Sequence, residues 1–227
     1  MQLVLSLLAA CAAPKTTLTY FPIAARGELA RLYGYAGGVS FIDSTNATGY
    51  KQTPLHFLPV LDSDRLSFRL QESLAVERYM RSIGPLYANL TAEQEALDDE
   101  FAEVKEDLIG GKYSTTSCYT NRTYAKVCVA KLFDRYLAGL ETLIPTDAGF
   151  ANGLGFPTGA DLVCLLIAKA GTPWGYAMKF GQYTGWEAKF PKVARVAELA
   201  AKFRPVAAYL ASSKTFYVET PDSRLDD

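Results

Sequence analysis

The sequence predicts two units in series, a small α+β unit built on a mixed sheet and then an all-helical unit. Two observations carry this. Before residue 84, short β-branched and aromatic runs alternate with helical patterns; after it, nearly every segment repeats its apolar residues at helical spacing. The 227 residues are also long for one compact unit and comfortable for two, and 49% apolar against 21% charged residues leaves material for a sizeable core.

Thr16 to Phe21 is β-branched and aromatic and reads as a strand ending at Pro22. Glu28 to Ala36 places Leu29, Leu32, Tyr33 and Ala36 on one helical face, and Gly37-Gly38 stops it. Val39 to Ile42 reads as a second strand. Leu58 to Leu61 and Leu66 to Leu70 read as a hairpin around Asp62-Ser63-Asp64-Arg65, and Ser73 to Ile83 as a helix. Gly84-Pro85 opens a linker. Helices follow over Thr91 to Leu108, Tyr124 to Leu143, Pro157 to about Ala170, Val193 to Phe203 and Val206 to Ala211. In the third of these, Thr158 and Asp161 stand three apart as a capping box with Asp in the Glu position. The boundaries are an apolar extension over 1–14, the α+β unit over 15–84, the helical unit over 91–213 and a polar tail over 214–227.

Composition removes several functions. A net charge of −1 with no basic stripe argues against nucleic acid, whose phosphates need a local excess of Lys and Arg. The single histidine, His56, removes multi-histidine metal sites, and no metal site is expected. Cys11, Cys118, Cys128 and Cys164 include no Cys-x-x-Cys pair, so no dithiol redox motif is visible, and the last three are expected to be buried and reduced. Leu3 to Ala13 is apolar and ends in small residues like the later part of a signal peptide, although no Lys or Arg precedes it, and it is too short to span a bilayer. Asn46, Asn89 and Asn121 each begin an Asn-x-Thr sequon.

Five fragments then fall in one order. Leu18-Thr19-Tyr20-Phe21 with Ala25-Arg26-Gly27-Glu28 and Arg31-Leu32 comes first, and Thr53-Pro54-Leu55-His56-Phe57-Leu58-Pro59-Val60-Leu61 second. Glu72-Ser73-Leu74-Ala75-Val76 with Arg78-Tyr79 is third, Thr158-Gly159-Ala160-Asp161 fourth, and Phe190-Pro191-Lys192-Val193 with Ala207-Ala208-Tyr209-Leu210 last. Together they resemble the cytosolic glutathione transferases, closest to the sigma class, from Lys15 to Ser213. The resemblance implies a thioredoxin-like α+β amino-terminal domain that binds glutathione and an all-α carboxy-terminal domain that shapes a pocket for an apolar electrophile, a GST-like fold. It also implies a homodimer, glutathione as co-substrate, no permanently bound cofactor, no membrane span and a cytoplasmic location, with the secretory pathway as the alternative if residues 1–13 act as a signal.

The chemistry follows from the thiol. A free thiol titrates near 8.5 and is mostly protonated at neutral pH, so a phenol hydroxyl aimed at the sulfur would stabilise the reactive anion. The resemblance assigns that donor to Tyr20, with Arg26 favouring the anion by its charge; taken alone, Tyr20 also reads as a strand-end core aromatic and Arg26 as a solvated charge. It implies that Leu58, before a cis Pro59, pairs through main chain with the cysteinyl unit; an ordinary trans proline at a strand start is the plain alternative. Glu72 and Ser73, at a helix amino terminus, suit the γ-glutamyl ammonium and carboxylate, or simply cap the helix. Glu106 aligns with an acidic residue that approaches glutathione from a neighbouring subunit in sigma relatives, and Tyr113 is expected in the second-substrate pocket. Thr158 and Asp161 are assigned to folding. His56 and Phe57 depart from the pattern: Phe57 stands where a polar side chain meets the glycine end, with Lys51 or Tyr50 as substitutes. The hairpin is also longer, around Arg69-Leu70. The activity implied is conjugation of glutathione to small apolar electrophiles. A glutathione-dependent isomerase or peroxidase like prostaglandin D synthase, or a non-catalytic protein of the same fold, are the alternatives.

Overall fold

In the computed structural model, which describes residues 15–110, 118, 122–145 and 149–215, the sheet is assembled around β1 (Thr16–Thr19). β1 pairs in parallel with β2 (Ile42–Ser44) and antiparallel with β3 (Val60–Ser63), and β3 pairs antiparallel with β4 (Leu70–Gln71), giving the order β2-β1-β3-β4. Helices α1 (Glu28–Gly37) and α2 (Ser73–Ser82) pack against one another, with Leu29, Leu32, Tyr33, Val76 and Met80 buried beside Leu18 and Leu61. This is the expected mixed sheet with helices.

Strand bounds differ from the sequence reading: β1 ends at Thr19 and not Phe21, β3 runs over Val60–Ser63 and not Leu58–Leu61, so Asp62-Ser63 is strand and not turn, and the other two change most. The second begins at Ile42, not Val39, because the helix before it ends in a left-handed cap: Gly38 has φ 73°, and the N–H groups of Gly38 and Val39 both donate to the Gly34 carbonyl. Residues 39–41 are spent on that turn and on seating Phe41 over Gly34. The fourth strand keeps only Leu70–Gln71, since Leu66 N–H turns back to the Ser63 carbonyl and Arg69 is tied to Asp62 at 2.8 Å.

The helical part holds α3 (Ala92–Gly110), α4 (Arg122–Leu143), α5 (Gly159–Ala168), α6 (Pro173–Phe180), α7 (Trp186–Lys189), α8 (Pro191–Lys202) and α9 (Arg204–Ser212). The sequence reading missed α6 and α7. α5 is its axis: Gly159 to Ile167 are all buried, as an all-apolar helix must be, and α3, α8 and α1 pack around it. The amino terminus of α5 meets the first part of the chain through Asp98. That carboxyl accepts Thr158 Oγ1 (2.7 Å), the Ala160 N–H (2.9 Å) and Asn152 Nδ2 (3.1 Å), with the Tyr33 hydroxyl beside it. Gly159 is required there, because a Cβ would collide with Tyr33 Oη and with Asp98. The Thr158–Asp161 capping box is present: Asp161 accepts the Thr158 N–H (2.9 Å) and, further, the Ala151 N–H (2.7 Å).

The cysteine expectation holds only for Cys164, which is free and buried. Cys118 and Cys128 form a disulfide, their Cα atoms 5.5 Å apart. A ten-residue separation matches no short motif, and the bond joins Cys118 to the second turn of α4. No helix among the described residues is long and apolar enough to cross a membrane.

Asp161→Ala should lower the unfolding free energy by about 1–3 kcal/mol, because two buried N–H groups lose their acceptor. Urea melts monitored by circular dichroism measure this, and a loss below about 0.5 kcal/mol would contradict the buried-cap assignment.

Candidate functional site

Strand register builds the site. Thr19 lies opposite Val60, and Val60 opposite Gln71. One step beyond these pairs come Tyr20, Pro59 and Glu72, side by side at one end of three adjacent strands, with Ser73 opening α2 directly after. Three strands at about 4.8 Å spacing span roughly 10 Å, the length of an extended tripeptide.

Tyr20 sits at the end of β1, its N–H donating to the Ser44 carbonyl at 3.0 Å. Its ring is 6% exposed and lies flat over Gly27, where a Cβ would stand 2.5 Å from Tyr20 Cγ. Burial pushes the phenol above its ordinary 10, while the Arg26 backbone N–H bonded to its oxygen and the charges of Arg26 and Arg31 pull the other way. The net upward shift keeps Tyr20 protonated at neutral pH. Protonated, the hydroxyl is able to donate.

Arg31, quoted in the sequence only as part of a signature, proves to be the organiser. Its side chain is fully buried, and it donates to both Asp43 carboxylate oxygens (3.0 Å each), Glu28 Oε2 (3.1 Å) and the carbonyls of Ile23 (3.1 Å) and Phe21 (3.0 Å). The guanidinium carbon lies 5.7 Å from the Tyr20 ring centroid. The turn that follows Tyr20 is thereby fixed from below.

The Arg26 guanidinium is bound to Glu106 at 2.9 Å. Glu106 is therefore engaged within its own chain, its other oxygen held by Lys105 at 2.6 Å. Burial alone would raise the Glu106 carboxyl, but Lys105 and Arg26 outweigh it and hold it below the usual range. Lys105, fully buried, also donates to Glu77 at 2.8 Å. Burial raises Glu77 to about 7 against the opposing pull of Lys105, and its second oxygen has no hydrogen-bond partner. A chain of charges thus runs from α2 through α3 to the loop that holds Tyr20.

The segment before Pro59 is shaped by Gln71, a residue the sequence reading passed over. Its amide donates to Thr53 Oγ1 (2.8 Å) and to the Phe57 carbonyl (3.0 Å) and accepts the Leu55 N–H (3.1 Å). A polar residue ending an edge strand beside a turn is the only sequence sign of this. His56, at φ 57°, bonds through Nδ1 to the Lys51 carbonyl. The Lys51 side chain is exposed, and the Phe57 ring is 62% exposed at the rim. The Leu58-Pro59 bond is cis. Glu72 has φ 72°, an arrangement that costs a non-glycine residue free energy, and its exposed side chain caps nothing. Ser73 is buried at the first turn of α2. Tyr113 lies outside the described residues. Thr158 and Asp161 lie in the helical part, capping α5 and tying it to Asp98 of α3 and to Ala151. Among the described residues, no cluster of His, Cys, Asp or Glu is placed to hold a metal ion.

No protein-family model matches the sequence, and no curated protein matches it either. Solved structures do. A glutathione S-transferase of Caenorhabditis elegans superposes with a TM-score of 0.68 at 25% identity, covering 88% of this chain and 99% of its own. Na-GST-3 of the hookworm Necator americanus, described as monomeric, gives 0.71 at 17% identity over 92% and 100%. The prostaglandin synthase D of Nilaparvata lugens gives 0.63 at 17% identity over 88% and 98%. The chain has the glutathione-transferase fold. In that fold Tyr20, Pro59, Glu72 and Ser73 share one end of the sheet, and Arg26 links it to Glu106 on α3.

Two outcomes test this geometry. Gly27→Ala forces the Tyr20 ring to move and should cost about 1–3 kcal/mol, as overpacking does; in a Tyr20→Ala background, measured as a double-mutant cycle in urea, most of that cost should vanish. Glu77 titrates at about 7 when folded and near 4.5 otherwise, so the folded state holds the extra proton between these values, and stability should fall as pH rises from 4.5 to 7. Melts of Glu77→Gln across this range should show a flatter profile; an unchanged slope would assign the pH dependence elsewhere.

Proposed function

We propose that the chain is a glutathione transferase in which Tyr20 stabilises the thiolate of glutathione. The observation that carries this reading is the row formed by Tyr20, Pro59 and Glu72 at one sheet end, with the Tyr20 phenol held protonated by its burial. An extended tripeptide laid along that row puts its central sulfur toward Tyr20, its cysteinyl backbone against the main chain of Leu58, and its γ-glutamyl end at Glu72 and Ser73. The carboxylate of that end meets the free N–H groups and positive dipole of α2, with the Ser73 hydroxyl; its ammonium meets Glu72. Lys51 serves the glycine carboxylate from the adjoining loop, in place of the contact Phe57 cannot make.

Lowering a thiol pKa by two units requires about 2.7 kcal/mol, within reach of one hydroxyl donor and nearby fixed charge. The thiolate then adds to an apolar electrophile accommodated by the helical part, where Tyr113 is assigned to the pocket. Arg26 contributes through its backbone N–H and its charge, both of which favour the more acidic phenol. Assembly as a homodimer belongs to this proposal; Glu106, held by its own Arg26 and Lys105, would then reach a partner's ligand only by exchanging one of these bonds. Sigma-class membership is proposed on the Tyr20-to-Arg31 and Glu72-Ser73 fragments.

A second reading, isomerisation or peroxide reduction with the same thiolate, is favoured by the likeness to a prostaglandin synthase D. A non-catalytic role is favoured by the exposed Phe57 ring. Calorimetry with glutathione separates the latter, and a panel of electrophile, peroxide and endoperoxide substrates the former.

Tyr20→Phe should lower kcat/KM for conjugation of a generic aromatic electrophile roughly 10- to 100-fold at pH 6.5, the worth of one hydrogen bond to a charged acceptor. Its pH–rate profile should shift upward, toward the free thiol value near 8.5, so that the deficit shrinks at high pH. A variant with wild-type rate and profile would remove Tyr20 from the mechanism.

A further inference from the structure

We infer that the chain passes through an oxidising secretory compartment, where it is N-glycosylated at Asn46 and Asn89 and acquires the Cys118–Cys128 disulfide. Independent observations converge on this. A cytosol keeps ordinary protein thiols reduced, whereas secretory lumens form and retain disulfides, and the structure joins two of the three described cysteines. The third, Cys164, is buried on α5 and protected from exchange.

The sequons are presented as acceptors must be. Asn46 lies on an exposed turn between β2 and residue 50, two residues past the Ser44 carbonyl that receives the Tyr20 N–H. Its Oδ1 accepts the Thr48 hydroxyl at 2.8 Å, so asparagine and threonine of one sequon already touch, and its Nδ2 has no hydrogen bond among the described residues. Asn89 is exposed in the connection from α2 to α3; the side chain between its asparagine and Thr91, Leu90, packs inward, turning the asparagine out. Neither intervening residue is proline, and surface loops are where glycans are carried. Of the four asparagines in the chain, three begin sequons; Asn121 lies outside the described residues.

The sequence also carries a route into that compartment. Leu3 to Ala13 is uncharged and ends in Ala10-Cys11-Ala12, the small-x-small pattern of a cleavage site. Among the described residues the chain begins at Lys15, whose N–H and carbonyl both meet Asp64, and β1 starts at Thr16.

The chemistry balances with reagents such compartments hold. An oligosaccharide on a lipid pyrophosphate loses its C1–O bond to the pyrophosphate and gains a C1–N bond to Asn Nδ2, the amide giving up one proton. The thiols of Cys118 and Cys128 lose two protons and two electrons to a disulfide-bearing oxidoreductase, which becomes its dithiol.

The full chain expressed in cultured insect cells tests this. It should appear in the medium and gain mobility on treatment with peptide N-glycosidase F; release in heavy-oxygen water should mark Asn46 and Asn89 as aspartate. Asn46→Gln and Asn89→Gln should each remove one step from the mobility ladder, and Thr48→Ala should reproduce the loss at Asn46 with the asparagine intact. Non-reduced peptide maps should join Cys118 to Cys128 and leave Cys164 alkylated. Retention in the cytosol with Cys118 and Cys128 both open to N-ethylmaleimide, or export with Asn46 and Asn89 unmodified, would overturn the inference.

Discussion

The guanidinium of Arg31 is buried and still finds an acceptor on each side. Above it are the carbonyls of Phe21 and Ile23, beside it Asp43 of β2, and on its own helix Glu28. A buried guanidinium left short of partners would cost several kcal/mol, so each acceptor is held where it stands. The turn after β1 cannot drift, and the ring of Tyr20, 5.7 Å from that charge, inherits the constraint. From there the register does the rest, bringing Pro59 and Glu72 to the same sheet end.

Polar groups buried in the second half play a matching part. Asp98 of α3 gathers the amino terminus of α5, Asn152 and Thr158 around one carboxyl, so α3 and α5 are joined by hydrogen bonds as well as apolar packing, and the Tyr33 hydroxyl of α1 reaches the same carboxyl at 3.5 Å. The charge chain from Glu77 through Lys105 and Glu106 to Arg26 makes a second bond between the parts. It ends at Arg26 in the turn after Tyr20, so that turn is fastened to both halves of the chain.

Much of this was legible in the sequence where a residue's role is local. The strand carrying Tyr20, the α1 pattern and the Thr158–Asp161 spacing are read from neighbours a few positions away. The slipped β2 was not, because Gly38 and Val39 bond back to Gly34 and delay the strand. α6 was announced by Thr172-Pro173, a cap followed by a favoured first residue, with Thr172 Oγ1 accepting the Gly175 N–H; its short length hid it. Arg31, Gln71 and the Cys118–Cys128 pair escaped for a common reason. Their partners are chosen by tertiary proximity, and no spacing rule connects Gln71 to Thr53 or Cys118 to Cys128.

The Glu28 carboxyl accepts the hydroxyls of Tyr209 and Thr215 as well as Arg31, while the Ala24 N–H donates to the Thr215 carbonyl at 2.7 Å. The polypeptide is in this way latched shut, its last described residue bolted to the turn beside the phenol. Ring stacking of Tyr35 on Tyr209, centroids 4.3 Å apart, tightens the latch. A nascent chain accordingly lacks the partners that fasten the turn beside Tyr20 until α9 and Thr215 have been made.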